Sequence, residues 1–372
     1  MIYLIYLTVL LFSAGLTSVV IPFTLRISEK KRLFDVPDDR KVHTTPTSRL
    51  GGIAFVPVII AAFNLGIGLC FHFALHIDMQ PFEQFTCLFV GLSVLYFLGF
   101  CDDLIGVRYS WKFCIQIIAA CLFPISGLWI NSLGGLFGIY AIPMWIGIPL
   151  TLFVVVYITN AINLIDGIDG LASGLSCITL VVMGLLALFH HQVFFILVIA
   201  AAIGVLLPFL YHNIFGSVNH QGKLFMGDTG SLTLGYIISF FVICFSHSTP
   251  EFDAPEHGSQ WIVFSSLIIP LFDVIWVVLS RFRDRRPLFM PDKNHIHHKF
   301  LSAGLSVTQT LISLLLISFL FVALHYFLNH YIQIIFVLLL DIVLWIGMLF
   351  ILNYFIQKQK IKTGKIERRV YN

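Results

Sequence analysis

The sequence predicts an all-α, polytopic membrane protein with about eleven transmembrane helices. Its composition excludes a water-soluble globule, because 58% of the residues are hydrophobic, 11% are charged and the mean hydropathy is +0.94. Apolar runs of roughly 17 to 22 residues, each long enough to cross the hydrocarbon core as a helix, recur along the chain. These runs cover residues 2–23, 50–71, 84–101, 113–130, 141–160, 171–189, 192–211, 232–247, 261–279, 307–328 and 331–353.

The basic residues predict how these helices are oriented. The first run has no basic segment before it and no small-residue cleavage motif after it, so we expect a retained helix rather than a signal peptide. Short loops rich in Lys and Arg stay in the cytoplasm. With the N-terminus outside and the C-terminus in the cytoplasm, all 22 Lys and Arg residues fall on the cytoplasmic side.

The chain is predicted to form one membrane domain, residues 1–355, followed by a basic cytoplasmic tail, residues 356–372. We expect the tail to lie on anionic lipid headgroups. The seven cysteines show no C-x-x-C spacing, so neither a disulfide framework nor a zinc site is predicted. The expected partners include the lipid bilayer and no nucleic acid, and the sequence leaves the oligomeric state open, a homodimer included.

Four polar clusters fall at predicted cytoplasmic ends of the apolar runs. They are Asp102-Asp103, the segment 160–169, the segment 227–231, and the histidines of the segment 295–298. Ionisable groups at the edge of a bilayer are costly and indicate function, whereas a transporter more often places such groups near the membrane midplane. The shared face therefore favours an enzyme over a transporter or flippase.

The acidic residues suit metal binding or proton transfer. Carboxylates at a helix C-terminus, as Asp102 and Asp103 would be, oppose the helix dipole, which argues against a purely structural role. Asp166 and Asp169 are each followed by glycine, which is common turn chemistry. A turn does not need the nearby Asn163, whose amide adds an oxygen ligand suited to Mg²⁺ and a nucleotide.

The other two clusters favour binding of anions. The segment 227–231, Gly-Asp-Thr-Gly-Ser, is typical of a helix N-cap, and the same geometry can receive a phosphate. Three histidines within the segment 295–298 lie in a loop rich in arginine, so we expect hydrogen bonds to phosphate or sugar oxygens rather than a transition-metal site.

In their order and spacing, these motifs resemble the polyprenyl-phosphate N-acetylhexosamine-1-phosphate transferases. These integral membrane enzymes move a sugar 1-phosphate from a UDP-sugar onto a lipid phosphate. The resemblance extends from the segment 41–52, Lys-Val-His-Thr-Thr-Pro-Thr-Ser-Arg-Leu-Gly-Gly, to the histidine loop. It implies eleven helices, a cytoplasmic active site and a location in the bacterial inner membrane.

The resemblance also implies residue roles. The metal ligands for Mg²⁺, or alternatively Mn²⁺, are Asn163 and Asp228. The catalytic residues are Asp102, Asp103, Asp166 and His298, of which Asp166 has the least specified role. The nucleotide-binding residues are Gly167, Ile168, Asp169, Asn213 and Phe225. The residues for the sugar or its phosphates are His295, His297 and Lys41.

Two loops of this sequence resemble different substrate branches of this family. The segment 295–299, His-Ile-His-His-Lys, resembles the branch that uses UDP-N-acetylglucosamine or a related small sugar with undecaprenyl phosphate. Thr45-Pro-Thr47 instead resembles the branch that uses UDP-N-acetylmuramoyl-pentapeptide for peptidoglycan. We therefore expect a transferase that starts a lipid-linked cell-envelope polysaccharide, with the peptidoglycan enzyme and a transporter or flippase as the alternatives.

Overall fold

The computed structural model describes residues 1–31, 33–35, 47–75, 77, 79, 81–216, 222–247, 258–285, 287 and 294–362. It confirms an all-α, multi-pass membrane architecture. The α-helices are α1 (Ile2–Lys31), α2 (Phe55–His72), α3 (Phe82–Ile105), α4 (Tyr109–Ile125), α5 (Met144–Ile165), α6 (Leu171–Phe189), α7 (Val193–Phe215), α8 (Gly227–Ser246), α9 (Ser259–Ser266), α10 (Ile268–Arg283), α11 (Ile296–Ser302), α12 (Val307–Leu328) and α13 (Ile334–Lys362).

Fewer helices qualify as membrane spans, judged by length and composition, than the eleven that the apolar runs predict. Among the described residues, nine helices are long and apolar enough to cross a membrane, and a bent pair, α9 with α10, makes a tenth. The remaining apolar run forms α4, which is a shorter apolar helix of 17 residues. An apolar run depends on composition and not on backbone direction, so it does not distinguish a straight span from a bent or short helix.

Helix α8 forms the centre of the bundle. In the most apolar stretch of α8, 89% of the residues are buried, compared with 22% in that of α13 at the periphery. Glycine permits this packing, because a Cβ atom added at Gly235 would lie 2.7 Å from the Cα atom of Thr159 in α5. Helices α3 and α5 end beside the point where α8 begins, and we call this end of the bundle the polar end.

The break between α9 and α10 follows from a proline. The two helices meet at an angle of 62°. Pro270 has no N–H, so the carbonyl of Ser266, four residues earlier, loses its helical donor. The hydroxyls of Thr179 and Ser318 approach this carbonyl at 3.4 Å each, which partly satisfies a polar group that lipid would leave bare.

The segment before α2 is attached to the start of α8. Strand β1 (Phe34–Asp35) pairs antiparallel with strand β2 (Thr47–Ser48). The Ser48 carbonyl accepts a hydrogen bond from the Phe225 N–H at 2.7 Å, and the Gly51 N–H donates to the Phe225 carbonyl at 2.9 Å. A short 3₁₀-helix, Leu50–Ala54, then leads into α2, so this segment borders the polar end.

A buried histidine and aspartate link the last two helices. His325 of α12 and Asp341 of α13 are both fully buried, and Nε2 of His325 lies 2.8 Å from Oδ2 of Asp341. The sequence alone does not identify this partner of Asp341. Since a polar group inside a membrane bundle is costly unless it is paired, this bond joins α13 to the rest of the protein.

Replacing His325 by Leu is expected to lower the thermal unfolding temperature, because it leaves the Asp341 carboxylate buried without its partner. Removal of one member of a buried pair costs about 3 kcal/mol or more. The double variant His325→Leu/Asp341→Leu should recover most of this loss in a thermal unfolding assay of the detergent-solubilised protein. Equal unfolding temperatures for the single and double variants would contradict this role of the pair.

Candidate active site

Asp103, in the last turn of α3, caps the N-terminus of α8. Its Oδ1 accepts the Asp228 N–H at 2.8 Å, and its Oδ2 accepts the Thr229 N–H at 2.9 Å and the Thr229 hydroxyl at 2.6 Å. The free amides at a helix start carry partial positive charge, so a carboxylate is a favourable cap. Because Asp103 takes these two amides, the expectation that they bind a phosphate does not hold in this arrangement.

Two glycines let neighbouring backbones approach this cap. A Cβ atom added at Gly99 of α3 would lie 2.5 Å from the Cα atom of Thr229. One added at Gly52 would lie 2.1 Å from the backbone nitrogen of Gly230. Real Cβ atoms do not make such contacts, so any larger residue would force the start of α8 away from α3 and from the 3₁₀-helix.

The cap places the Asp228 side chain among charged partners. The Lys112 ammonium group donates to Oδ2 of Asp102 at 2.5 Å and also to Oδ2 of Asp228. The other oxygen of Asp102, Oδ1, accepts the Val107 N–H at 2.6 Å. One cation thus joins the two carboxylates that sequence analysis assigned to catalysis and to metal binding.

Sequence analysis counted Lys112 only as a loop charge and missed this position. Helix α3 ends at Ile105 and α4 begins at Tyr109, so the chain reverses within a few residues. Lys112 in the first turn of α4 therefore returns to the side of Asp102. The sequence did contain a signal for this contact, because Lys112 follows the acidic pair Asp102-Asp103 after only a short connection between two helices.

The two asparagines of α5 have different partners. Asn163 donates from Nδ2 to Oδ1 of Asp228 at 3.1 Å and to the Ser231 hydroxyl at 2.8 Å, so it lies in the candidate metal site. Asn160, one turn earlier, donates to the Gln116 side chain at 2.5 Å and ties α5 to α4. Only Asn163 of this pair joins the acidic cluster.

The turn after α5 is joined to the segment before α8. Lys223 donates to Oδ2 of Asp169 at 2.6 Å. Asn213 of α7 is 5% exposed, and it accepts the Gly170 N–H at 2.6 Å while donating to the Leu224 carbonyl at 2.9 Å. Both ends of the Asn213 amide are therefore used within the protein, which supports a role in holding the nucleotide region together. Lys223 was missed as a site residue.

The other residues assigned to the nucleotide also lie around this turn. Phe225 is half-buried and its backbone is hydrogen bonded to the segment before α2. Ile168 is 6% exposed and packs in an apolar cluster with α6 and α11. Gly167 is exposed, and a Cβ atom added there would lie 2.2 Å from Nε2 of His297. The turn therefore connects the residues assigned to the nucleotide with α11, which carries the histidines and is called the histidine helix.

Asp166 follows α5 and faces the acidic cluster. Loss of hydration among the surrounding protein atoms, and then the negative charges of Asp228 and Asp169, raise the pKa of Asp166 to about 7, although solvent reaches its side chain. A carboxyl group with such a pKa exchanges protons readily near neutral pH, which suits general acid or base chemistry. The assignment of Asp166 as a catalytic residue stays a prediction.

The histidines lie at the start of α11. Nδ1 of His295 lies 2.7 Å from Oδ2 of Asp273, and the rings of His295 and His297 are stacked with centroids 5.8 Å apart. His297 is 2% exposed, and burial, with the neighbouring His298 and His295, lowers its pKa well below 6.5. His297 is therefore neutral at physiological pH, and the ring of His298 lies 4.2 Å from it.

The donor atoms fit a hard cation. Asp102 and Asp228 supply carboxylate oxygens, and the Lys112 ammonium already lies where both carboxylates favour positive charge. Asn163 directs its NH₂ group at Asp228, so its amide oxygen would face a cation there with the NH₂ group and the oxygen interchanged. Within the described ranges, no three His, Cys, Asp or Glu side chains converge as a metal site. A bound cation would therefore take part of its oxygen ligands from the substrate or from water.

Three features of the sequence lie outside the described residues: Lys41, Thr45-Pro46 and residues 363–372 of the predicted basic tail. Their assignments stay predictions. The other residues assigned to the site lie in the connected set of contacts at the polar end. That set joins α3, α4, α5, α7, α8 and α11 in one place.

Residues 85–246, which include most of this cluster, match the family model of glycosyl transferase family 4. Curated relatives extend this match over most of the chain. A protein of Bacillus subtilis (strain 168) named probable undecaprenyl-phosphate N-acetylglucosaminyl 1-phosphate transferase is 33% identical over 82% of this chain and 79% of its own.

Two further relatives carry the name undecaprenyl-phosphate alpha-N-acetylglucosaminyl 1-phosphate transferase. The protein of Escherichia coli (strain K12) is 30% identical over 80% of this chain and 76% of its own. That of Yersinia pestis is 30% identical over 77% of this chain and 74% of its own. The chain belongs to the polyprenyl-phosphate N-acetylhexosamine-1-phosphate transferase family, as its motifs predict, and it is a glycosyl-1-phosphate transferase.

Replacing Gly99 by Ala is expected to lower both the unfolding temperature and the transferase activity, because the new Cβ atom meets the backbone of Thr229 and moves the capped end of α8. Overpacking of this kind costs about 1 to 3 kcal/mol. Gly68→Ala in α2 is the matched control, since no atom lies within 4 Å of the added Cβ there. Thermal unfolding and activity measured on both variants check the prediction, and equal behaviour would show that the close contact at Gly99 has no consequence.

Proposed function

We propose that this protein transfers a sugar 1-phosphate, in the first place N-acetylglucosamine 1-phosphate, from a UDP-sugar to undecaprenyl phosphate. It releases UMP and starts a lipid-linked cell-envelope polysaccharide. The observation that carries the proposal is the 33% identity to the named Bacillus subtilis relative over 82% of the chain. The convergence of Asp102, Lys112, Asn163 and Asp228 at one end of the bundle supports it.

The reaction is a phosphoryl transfer. An oxygen of the lipid phosphate attacks the β-phosphorus of the UDP-sugar and forms a new phosphorus–oxygen bond. The bond from the β-phosphorus to the oxygen that bridges the two phosphates breaks, and UMP leaves with that oxygen. Since both reactants are anions, the protein's main contribution is positioning and positive charge.

The positive charge has two proposed sources. Lys112, held by Asp102 and Asp228, can donate hydrogen bonds to a phosphate oxygen that enters between them. Mg²⁺, or Mn²⁺ in its place, would be held by Asp228 and Asn163. When bound, it supplies Lewis-acid charge that neutralises the diphosphate.

The acidic residues and the turn after α5 are proposed to orient the lipid phosphate, transfer a proton and bind UMP. Asp102 lies where it can orient the lipid phosphate, and Asp166, with its raised pKa, can take or return a proton at a phosphate oxygen. Asp103 acts by positioning Asp228. The Asp169–Lys223 pair and Phe225 border the region assigned to uridine, so they are proposed to bind the UMP portion of the donor.

The histidine helix is proposed to bind the sugar and its phosphates. His298 is partly exposed, and its ring lies beside the buried His297 ring, which contacts Gly167. A neutral imidazole can donate and accept one hydrogen bond each, which suits sugar hydroxyl and phosphate oxygens. The relatives' names favour the N-acetylglucosamine branch over the muramoyl-pentapeptide branch.

The membrane explains the acceptor. Undecaprenyl phosphate can keep its tail in lipid while its phosphate reaches the acids at the polar end. We propose that the protein lies in the bacterial inner membrane with this end in the cytoplasm, because the basic loops flank it and UDP-sugars are water-soluble.

The proposal is tested with the full-length protein in proteoliposomes that contain undecaprenyl phosphate. UMP release should require UDP-N-acetylglucosamine, the lipid phosphate and Mg²⁺ together. Asp228→Asn should lower this rate more than about 100-fold, since a metal ion contributes several kcal/mol to the transition state. Asp284→Asn, an exposed position at the end of α10, should leave the rate unchanged.

Three results would count against the proposal. UMP release that does not depend on the lipid phosphate would exclude undecaprenyl phosphate as the acceptor. Uptake of UDP-sugar into the vesicles without UMP release would instead favour the transporter alternative. A higher rate with UDP-N-acetylmuramoyl-pentapeptide than with UDP-N-acetylglucosamine would move the protein to the peptidoglycan branch.

A further inference from the structure

Asp273 is a buried carboxylate inside α10, the second half of the bent span. Its side chain is 1% exposed, and both of its oxygens are bonded. Oδ2 lies 2.7 Å from Nδ1 of His295, and Oδ1 accepts the Ile296 N–H at 2.6 Å. A buried carboxylate is costly unless it is paired, and these two bonds offset that cost for Asp273.

The first bond fixes the ring of His295. An ionised carboxylate can only accept, so Nδ1 of His295 carries the proton and donates it to Asp273. This fixes the imidazole plane and leaves Nε2 as the atom that can meet a ligand. Carboxylate partners orient imidazoles in this way in metal and catalytic sites.

The second bond fixes the start of α11. The Ile296 N–H is at the first turn of the helix, where amides have no helical acceptor. Once α11 begins at Ile296, the next residue, His297, places its ring against the backbone of Gly167. Asp273 therefore helps to fix the position of the histidines relative to the Asp166 turn, together with the apolar packing of α11.

Two side chains near Asp273, Tyr157 and Lys299, have other partners. The Tyr157 hydroxyl donates to the Leu271 carbonyl at 2.6 Å. The Lys299 ammonium lies over the Trp276 ring, 5.3 Å from its centroid. Tyr157 and Lys299 are therefore bonded or stacked elsewhere, and the two oxygens of Asp273 act on the histidine helix.

We propose that Asp273 is a positioning residue for the transfer reaction, which holds His295 in the tautomer with Nε2 free to bind the sugar diphosphate of the donor. This inference rests on the proposed function. It assigns to a residue of the bent membrane helix a task at the polar end, where it acts through His295 rather than on the substrate.

The variant Asp273→Asn separates the two bonds of Asp273. Its amide oxygen can still accept the Ile296 N–H, while its NH₂ group can only donate to His295 and so favours the opposite tautomer. We expect kcat for UDP-N-acetylglucosamine to fall about 10- to 100-fold, as for other partners that orient a functional histidine. Inhibition by UMP should be unchanged, because the Asp169–Lys223 region is intact.

A double-mutant cycle with His295→Gln distinguishes this role from a general structural one. If Asp273 acts through His295, Asp273→Asn should lower kcat no further in the His295→Gln background. Asp284→Asn, on the same helix, is the control. An equal loss in both backgrounds, or an Asp273→Asn enzyme within twofold of wild type, would overturn the inference, whereas a wild-type protein without UMP release would overturn the proposed function instead.

Discussion

The cap that Asp103 places on the N-terminus of α8 is the constraint on which the site depends. Helix α8 starts inside a crowded bundle, where free backbone amides would be costly. One carboxylate from α3 satisfies two of these amides and one hydroxyl. The same bonds fix where the Asp228 side chain begins, so the fold and the chemistry share one interaction.

From this cap, the other contacts follow in order. Asp228 reaches Asn163 on one side and Lys112 on the other, and Lys112 reaches Asp102. These residues come from α3, α4, α5 and α8, and none of these helices contains the site alone. The glycines at positions 52 and 99 matter because they bring the backbones close enough for the cap to form.

The histidine helix is attached to this centre by a different set of bonds. Its apolar side packs in a separate cluster with Ile168, Leu311 and Trp345, away from the main core around α8. Its polar start is held by Asp273, and its His297 ring contacts Gly167. The side of the site assigned to the sugar is therefore packed separately from the helices that carry the acids.

Sequence analysis predicted the features that depend on local composition. Apolar runs predicted helices, and the polar clusters at the ends of those runs predicted that Asp102, Asn163 and Asp228 lie on one face, because each of these signals is visible within a few residues. It did not predict the pairs that join distant helices, such as Lys112 with Asp228 or His325 with Asp341. It also assigned Asn213 to the nucleotide, although its amide is used within the protein.

We propose that the cap on α8 holds Asp228 and Asn163 where they can bind a cation. The most direct measurement is anomalous X-ray scattering from crystals of the full-length protein soaked with Mn²⁺. The account predicts one peak bound by Asp228 and Asn163, with the Lys112 ammonium moved from Asp228 and the Asp103 bonds to Thr229 unchanged. A peak on the histidines of α11, or a peak at Asp228 only when the Asp103 bonds are broken, would contradict it.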